Sequence, residues 1–142
     1  MGLDNGFVGR SKKHSDVEIN LAYFRKYYTL NDWVMKHGIS FDENNPYEVA
    51  VSKDNLEGLL KLIEPIAEAL QGYTYNQISY YEDNGYPQEI VEKFYEEDFS
   101  PVSTNVAFAG HKLIKLYRSV LCMLEMIEEN GDDFYITFYS SF

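Results

Sequence analysis

Between residues 17 and 38 the chain reads VEINLAYFRKYYTLNDWVMKHG. Its apolar side chains recur at three- and four-residue intervals, at Val17, Leu21, Phe24, Tyr28, Val34 and Met35, with Asn31 on the same stripe. Glu18, Arg25, Asp32 and Lys36 fall away from it. This is the pattern of an amphipathic helix. Glu18 in the first turn, and Lys36 and His37 in the last, suit a helix dipole, and Gly38 supplies a left-handed terminating residue. The spacing predicts one helix over 17–38, around which the rest of the chain is arranged. It also puts Asn31 on the apolar face. A side-chain amide removed from water without partners costs about 1–3 kcal/mol, so a buried Asn31 is expected to bond to backbone, to Asp4 or to the C-terminal serines, fixing the helix on a sheet.

Residues 3–8, apolar at both ends and bounded by glycines, read as a strand, and 10–16, with Arg10, Lys12, Lys13 and His14, as a solvated basic loop. Tyr47, Val49 and Val51 alternate with Glu48 and Ala50 as a half-buried strand should. Ser52 then caps a helix whose stripe is Leu56, Leu59, Leu60, Ile63 and Ile66; Pro65 is expected to kink or shorten it, and Gly72 to stop it. Residues 73–86, YTYNQISYYEDNGY, show no sustained period and read as irregular with a short strand. A short acidic helix follows over 87–97, then a brief strand at 106–108. The helix expected over 111–129 has the stripe Leu113, Ile114, Tyr117, Val120, Leu121, Leu124 and Ile127. The closing DFYITFYSSF alternates Phe134, Ile136 and Phe138 against Tyr135, Thr137 and Tyr139, a strand by period and composition. Strands separated by helices imply an α+β fold, a single layer of helices on one face of a small mixed sheet, with strand order unreadable.

At 142 residues and 45% hydrophobic content, the chain suffices for one core and one domain, 1–142. Its 12 basic and 23 acidic residues give a net charge of −11. That repels phosphate backbones and anionic lipid, so no direct nucleic acid and no membrane are expected, and a partner should present a basic surface. Acidity that merely keeps the protein soluble is the plainer alternative. The single cysteine, Cys122, permits no intrachain disulfide, and its place in an apolar helix suggests a small buried hydrophobe. With no export signal and no run of about 18 apolar residues, a cytoplasmic location is expected. MGLDNG has Gly6 where a myristoylation signal needs Ser or Thr.

MGLD, FRKYYTLNDWV, VAVSKDNLEGLLKL, PVSTNVAFAG and FYSSF together resemble a group of small uncharacterised bacteriophage and bacterial proteins. Their recurring pieces read MGLDxYL, YWRKxNxIHxWF, YxVSxxxLxxLL, LPTxSGFFFG and FYYxSSW. The order is the same across nearly the whole chain, and the matching positions are Gly2, Leu3, Asp4, Arg25, Lys26, Trp33, Thr104, Gly110, Ser140 and Ser141. The chain departs at Tyr28, where the pattern has Asn, at Asn31 or Asp32, where it has His, and at Phe142, where it has Trp; residues 73–98 are additional. The resemblance implies a phage or prophage setting, in the host cytoplasm, and no mechanism.

Three histidines, His14, His37 and His111, lie far apart with no Cys or carboxylate at ligand spacing, so no metal and no cofactor is expected. GxSxG, HExxH, GxGxxG and phosphate-loop patterns are absent, and an enzyme is not expected. Two groups of residues carry the functional readings. The first is an acidic aromatic sector, Glu82, Asp83, Glu89, Glu92, Tyr95, Glu96, Glu97 and Asp98, suited to an arginine- or lysine-rich surface of a host or phage protein, such as a defence or nucleic-acid-handling complex. A solvated helix face explains the same charges. The second is Asp4, Arg25, Lys26, Asn31 and Trp33, a pocket beside the first helix for a nucleotide or other anion, in which Arg offers a planar fork and Trp a stacking face. Paired surface charges and a core Trp are the ordinary alternative.

Overall fold

The computed structural model describes residues 3–36, 41–42, 45–96 and 110–141. Five strands, β1 (Asp4–Ser11), β2 (Glu18–Arg25), β3 (Phe41–Asp42), β4 (Asn45–Val51) and β5 (Phe134–Ser141), form one sheet in the order β2-β1-β5-β4-β3. Every pairing is antiparallel, so the sheet is not mixed. The helices are α1 (Tyr28–Lys36), α2 (Lys53–Leu70), α3 (Tyr75–Asn84), α4 (Gln88–Glu96) and α5 (Gly110–Asn130). The fold is α+β, with no helix among the described residues long and apolar enough to cross a membrane.

The expected helix over 17–38 does not form: its first half is the edge strand β2 and only its second half is α1. The cause is a register shift in the β1–β2 ladder. Phe7 opposes Ala22 but Val8 opposes Asn20, which leaves Leu21 as an extra residue in β2. A bulge of this kind resets the alternation of faces, so Ile19, Ala22 and Phe24 share one sheet face instead of falling at strict intervals of two, with Ala22 and Phe24 buried and Ile19 exposed. With half-buried Leu21 between them, the spacing imitates a helical stripe. Lys26, with φ of 59°, turns the chain out of the strand, and its N–H donates to Leu3 O at 2.6 Å. α1 then buries Leu30, Trp33 and Val34.

Asn31 is half-buried, and its Oδ1 is shielded without a hydrogen-bond partner. The expected tether of helix to sheet comes from Asn5 instead, which is 0% exposed and donates from Nδ2 to Tyr27 O at 3.0 Å.

α2 begins as expected at Ser52, whose side chain accepts the Asn55 N–H while Asn55 Oδ1 accepts from Ser52 N. It runs through Pro65 to Leu70 and stops short of Gly72. The supposedly irregular 73–86 is largely the helix α3. Its capping box pairs Thr74 Oγ1 with the Gln77 N–H at 3.1 Å and Gln77 Oε1 with the Thr74 N–H at 2.8 Å. Ile78 is the buried residue of α3, which is why hydrophobic period did not reveal it; the Thr-x-x-Gln spacing at its start is a local signature that the reading by period passed over. α5 matches its expected length but is turned about its axis. Leu113, Leu116, Val120 and Met123 face the core, while Leu121 is exposed. The strand expected at 106–108 lies outside the described residues, as do His37 and Gly38.

The helices pack on the sheet face that presents Phe7, Phe24, Val49, Val51, Ile136 and Phe138, with the Phe7 and Phe138 rings 5.3 Å apart. Each such side chain contributes about 1.5–3 kcal/mol on burial. On the opposite face Arg10 Nε donates to Glu48 Oε1 at 2.6 Å, which also accepts from Thr137 Oγ1 at 2.6 Å. The expected loop at 10–16 is partly strand, and Asp133 holds the remainder. Its carboxylate accepts from Ser11 Oγ at 2.7 Å and from the Lys13 N–H at 2.8 Å, bonds that keep its pKa below the ordinary carboxylate range.

Candidate functional site

A groove of about 540 Å³ runs along one flank of α5. Residues 111, 114, 115, 118, 119 and 122 recur at helical spacing and so share a face. The stretch from His111 to Cys122 rises about 16 Å at 1.5 Å per residue. Leu21 of β2 forms one wall, and Tyr73, Tyr75 and Ile78 from the start of α3 form the other.

The upper end is built by α3 and the turn after it. Glu82 Oε1 accepts the His111 N–H at 3.1 Å and Tyr86 Oη accepts the Gly110 N–H at 2.8 Å. These two bonds satisfy amides that a helix start leaves orphaned. The contact is close enough to demand glycine: a Cβ on Gly110 would lie 2.5 Å from Tyr86 Oη and 3.0 Å from Ile78 Cγ2. Burial raises the Tyr86 phenol well above its ordinary pKa, keeping it neutral. The His111 ring stacks on Tyr75 with centroids 4.2 Å apart and planes 30° apart, and its Nε2 lies 2.9 Å from Ser79 Oγ. Tyr75 is 73% exposed, so the pair offers a wet aromatic platform at the groove mouth.

Cations follow down the same flank. Lys112 Nζ donates to Arg25 O at 2.6 Å, and burial lowers its pKa. Lys115 Nζ donates to Tyr23 O and sits 4.9 Å from the Phe24 ring centroid. Arg118 is exposed and makes no hydrogen bond or ion pair among the described residues. Cys122, expected to be buried, is exposed at the lower end of the groove. An aromatic platform, apolar walls of Leu21, Ile78 and Ile114, and cations on the rim can receive a molecule with a flat apolar body and a negative group.

Among the described residues, those expected to form a pocket beside the first helix do not converge on either cavity. Asp4 accepts from Tyr23 Oη at 2.8 Å, Arg25 is exposed at the end of β2, Lys26 occupies the turn, and Trp33 is buried in the core. None of these, nor Asn31, lines the groove on α5 or the cavity on the far sheet face formed by Val8, Arg10, Glu18, Asn20, Glu48 and Tyr139. Arg25 and Trp33 were linked by a helix that does not exist, and the strand-to-helix turn separates them.

In the acidic sector, Glu82 caps α5 and Glu89 accepts from Tyr73 Oη at 3.3 Å. Asp83 and Glu92 are exposed, Tyr95 and Glu96 fall in the last turn of α4, and Glu97 and Asp98 lie outside the described residues. Among the described residues no group of three or more His, Cys, Asp or Glu side chains is placed to hold a metal ion.

Sequence reasoning missed Tyr73, Tyr75, His111, Lys115 and Arg118. A signal was present in HKLIKLYRSVLCMLEMIEEN. Its cations occupy the first half of a helix and its acids the second, opposite to what the dipole favours, and a local rule broken in this way is a mark of functional sites.

The fold and groove define an α+β domain, an antiparallel sheet with helices packed on one face and a lateral cleft on its longest helix. No family model, curated protein or solved structure matches the chain.

Proposed function

We propose that the protein is a non-enzymatic binder of an organic anion, held in the groove on α5 with its flat part against Tyr75 and His111 and its charge at Arg118. One observation carries the reading: in a chain of net charge −11, Arg118 stands without an acidic partner among the described residues beside a largely apolar cleft. With nearly twice as many acids as bases, an exposed arginine left unpaired at a pocket is available to a ligand. The anion-binding chemistry expected from the sequence is thus kept and its place moved from β2 and α1 to α5. The acidic aromatic sector supports a basic protein partner less well, because Glu82 and Glu89 already accept bonds within the chain, from the His111 N–H and the Tyr73 hydroxyl.

Cys122 gives the test, being the sole cysteine and exposed in the groove. ATP is a suitable probe, with pyrophosphate and adenosine as its separated halves. ATP is expected to slow Cys122 modification by a thiol reagent in a saturable way, more than either half, and Arg118→Gln to weaken it about tenfold, or about 1.4 kcal/mol. Modification rates indifferent to all three probes in the millimolar range would sink the proposal.

A further inference from the structure

Strand β2 is an edge of the sheet, and an edge presents unpaired backbone groups to any neighbouring chain. Two of its outward carbonyls are occupied by side chains: Lys115 Nζ donates to Tyr23 O and Lys112 Nζ to Arg25 O. The ammonium groups stand where the N–H groups of another strand would. Beside them the edge is apolar, with Ile19 and Tyr23 each 44% exposed.

The bulge gives this strand an unusual symmetry. Arg10, Val8, Gly6 and Asp4, alternate residues of β1, oppose Glu18, Asn20, Tyr23 and Arg25, so these four residues of β2 share one sheet face. In a regular strand Glu18 and Arg25, seven apart, would point to opposite faces. With Leu21 inserted, the set is symmetric about the Leu21–Ala22 bond. When β2 is laid antiparallel against a second β2 about that centre, Glu18 meets Arg25, Asn20 meets Tyr23 and Ile19 meets Phe24, each twice and each on a matching face. Glu18, 63% exposed, makes one long ion pair of 3.9 Å to Arg10, and Arg25 makes no ion pair among the described residues, so a second copy can draw the two together.

We infer that β2 is a self-association edge, where two copies of this chain pair across a two-fold axis into a continuous ten-stranded sheet with the helices of both copies on one side. An isologous contact of this kind requires that one patch complement itself, and the opposite charges at the two ends of β2 meet that requirement while disfavouring other registers. In the free chain the lysines blunt the edge, as natural sheets do to limit promiscuous pairing. Association is therefore a competition in which the N–H groups of Asn20 and Glu18 in one copy displace Lys115 and Lys112 from the Tyr23 and Arg25 carbonyls of the other.

Sedimentation equilibrium of the full chain from micromolar to millimolar concentration tests this. A concentration-dependent dimer is expected. Glu18→Arg and Arg25→Glu should each weaken it about tenfold or more by placing like charges opposite one another, and the two together should restore it. Lys115→Met should tighten it by removing a competing donor. Far-ultraviolet circular dichroism of each variant checks that the fold persists, and the restored double variant guards against simple misfolding. A monomer at every concentration overturns the inference, and so does a dimer unchanged by either single reversal. Failure of anion binding at the α5 groove would leave the dimer result untouched, because neither reversal alters a residue lining that groove.

Discussion

Two charged regions of the molecule, the acidic α3–α4 segment and the basic flank of α5, use their charges in opposite ways. By count the acids stand out, and two of them bond within the chain: Glu82 caps α5 and Glu89 holds the Tyr73 hydroxyl. The basic flank is sparser, yet among the described residues Arg118 has no partner, and Lys112 and Lys115 are tied to strand carbonyls and aromatic rings, with no acid bonded to either. Charge density therefore points to the wrong region. What a charged group is bonded to, more than how many surround it, shows whether it is free for a ligand.

The sharpest way to break this pairing is at its closest contact. Gly110→Ala puts a methyl group against Tyr86 Oη and Ile78 Cγ2, at 2.5 and 3.0 Å. Overpacking of this kind costs about 1–3 kcal/mol, so urea unfolding should show a fall of that size. A variant as stable as the parent would mean that α3 and the turn after it are not seated on α5 as described.

Removing the cap from the acidic side is milder. Glu82→Ala leaves the His111 amide without its acceptor and takes a negative charge from the start of α5. A lost N-terminal cap costs about 0.5–2 kcal/mol, which thermal unfolding would register. Asp83→Ala, at an exposed neighbour, should change stability by less than about 0.5 kcal/mol. Equal effects at the two positions would erase the distinction between an engaged acid and a solvated one.

The smallest effect has the opposite sign. α5 has no basic residue in its last turn, where exposed Glu128 and Glu129 oppose the dipole. Glu129→Lys should raise stability by about 0.3–1 kcal/mol at low ionic strength, an increment that shrinks with added salt. A loss, or a gain insensitive to salt, would show that Glu129 has a role beyond its charge.

How much of this was legible beforehand can be judged residue by residue. Ser52, the Leu56 to Ile66 stripe, the length of α5 and the β5 alternation were readable because caps and periods are local. Thr74 and Gln77 were equally local, but three tyrosines with little to bury beside Ile78 concealed the period of α3. β2 was misread for a different reason. Whether Leu21 belongs to a helical stripe or to a bulge depends on the strand beside it, where Phe7 takes Ala22 and Val8 takes Asn20 as partners, and that strand is met only across the ladder.

The sequence by itself determined the α+β class, the starts of α2 and α5, the strand at the C-terminal end and the acidic balance, because these follow from composition and near-neighbour spacing. Tertiary structure decided the rest. Antiparallel pairing of β1 with both β2 and β5 turned half of an apparent helix into an edge strand. Packing of α3 against the start of α5 turned a dispersed set, Tyr75, His111, Lys115, Arg118 and Cys122, into one groove. A side chain's period records only which face it shares with its own neighbours in the chain; what lies across from that face is set by long-range contacts that no local pattern contains.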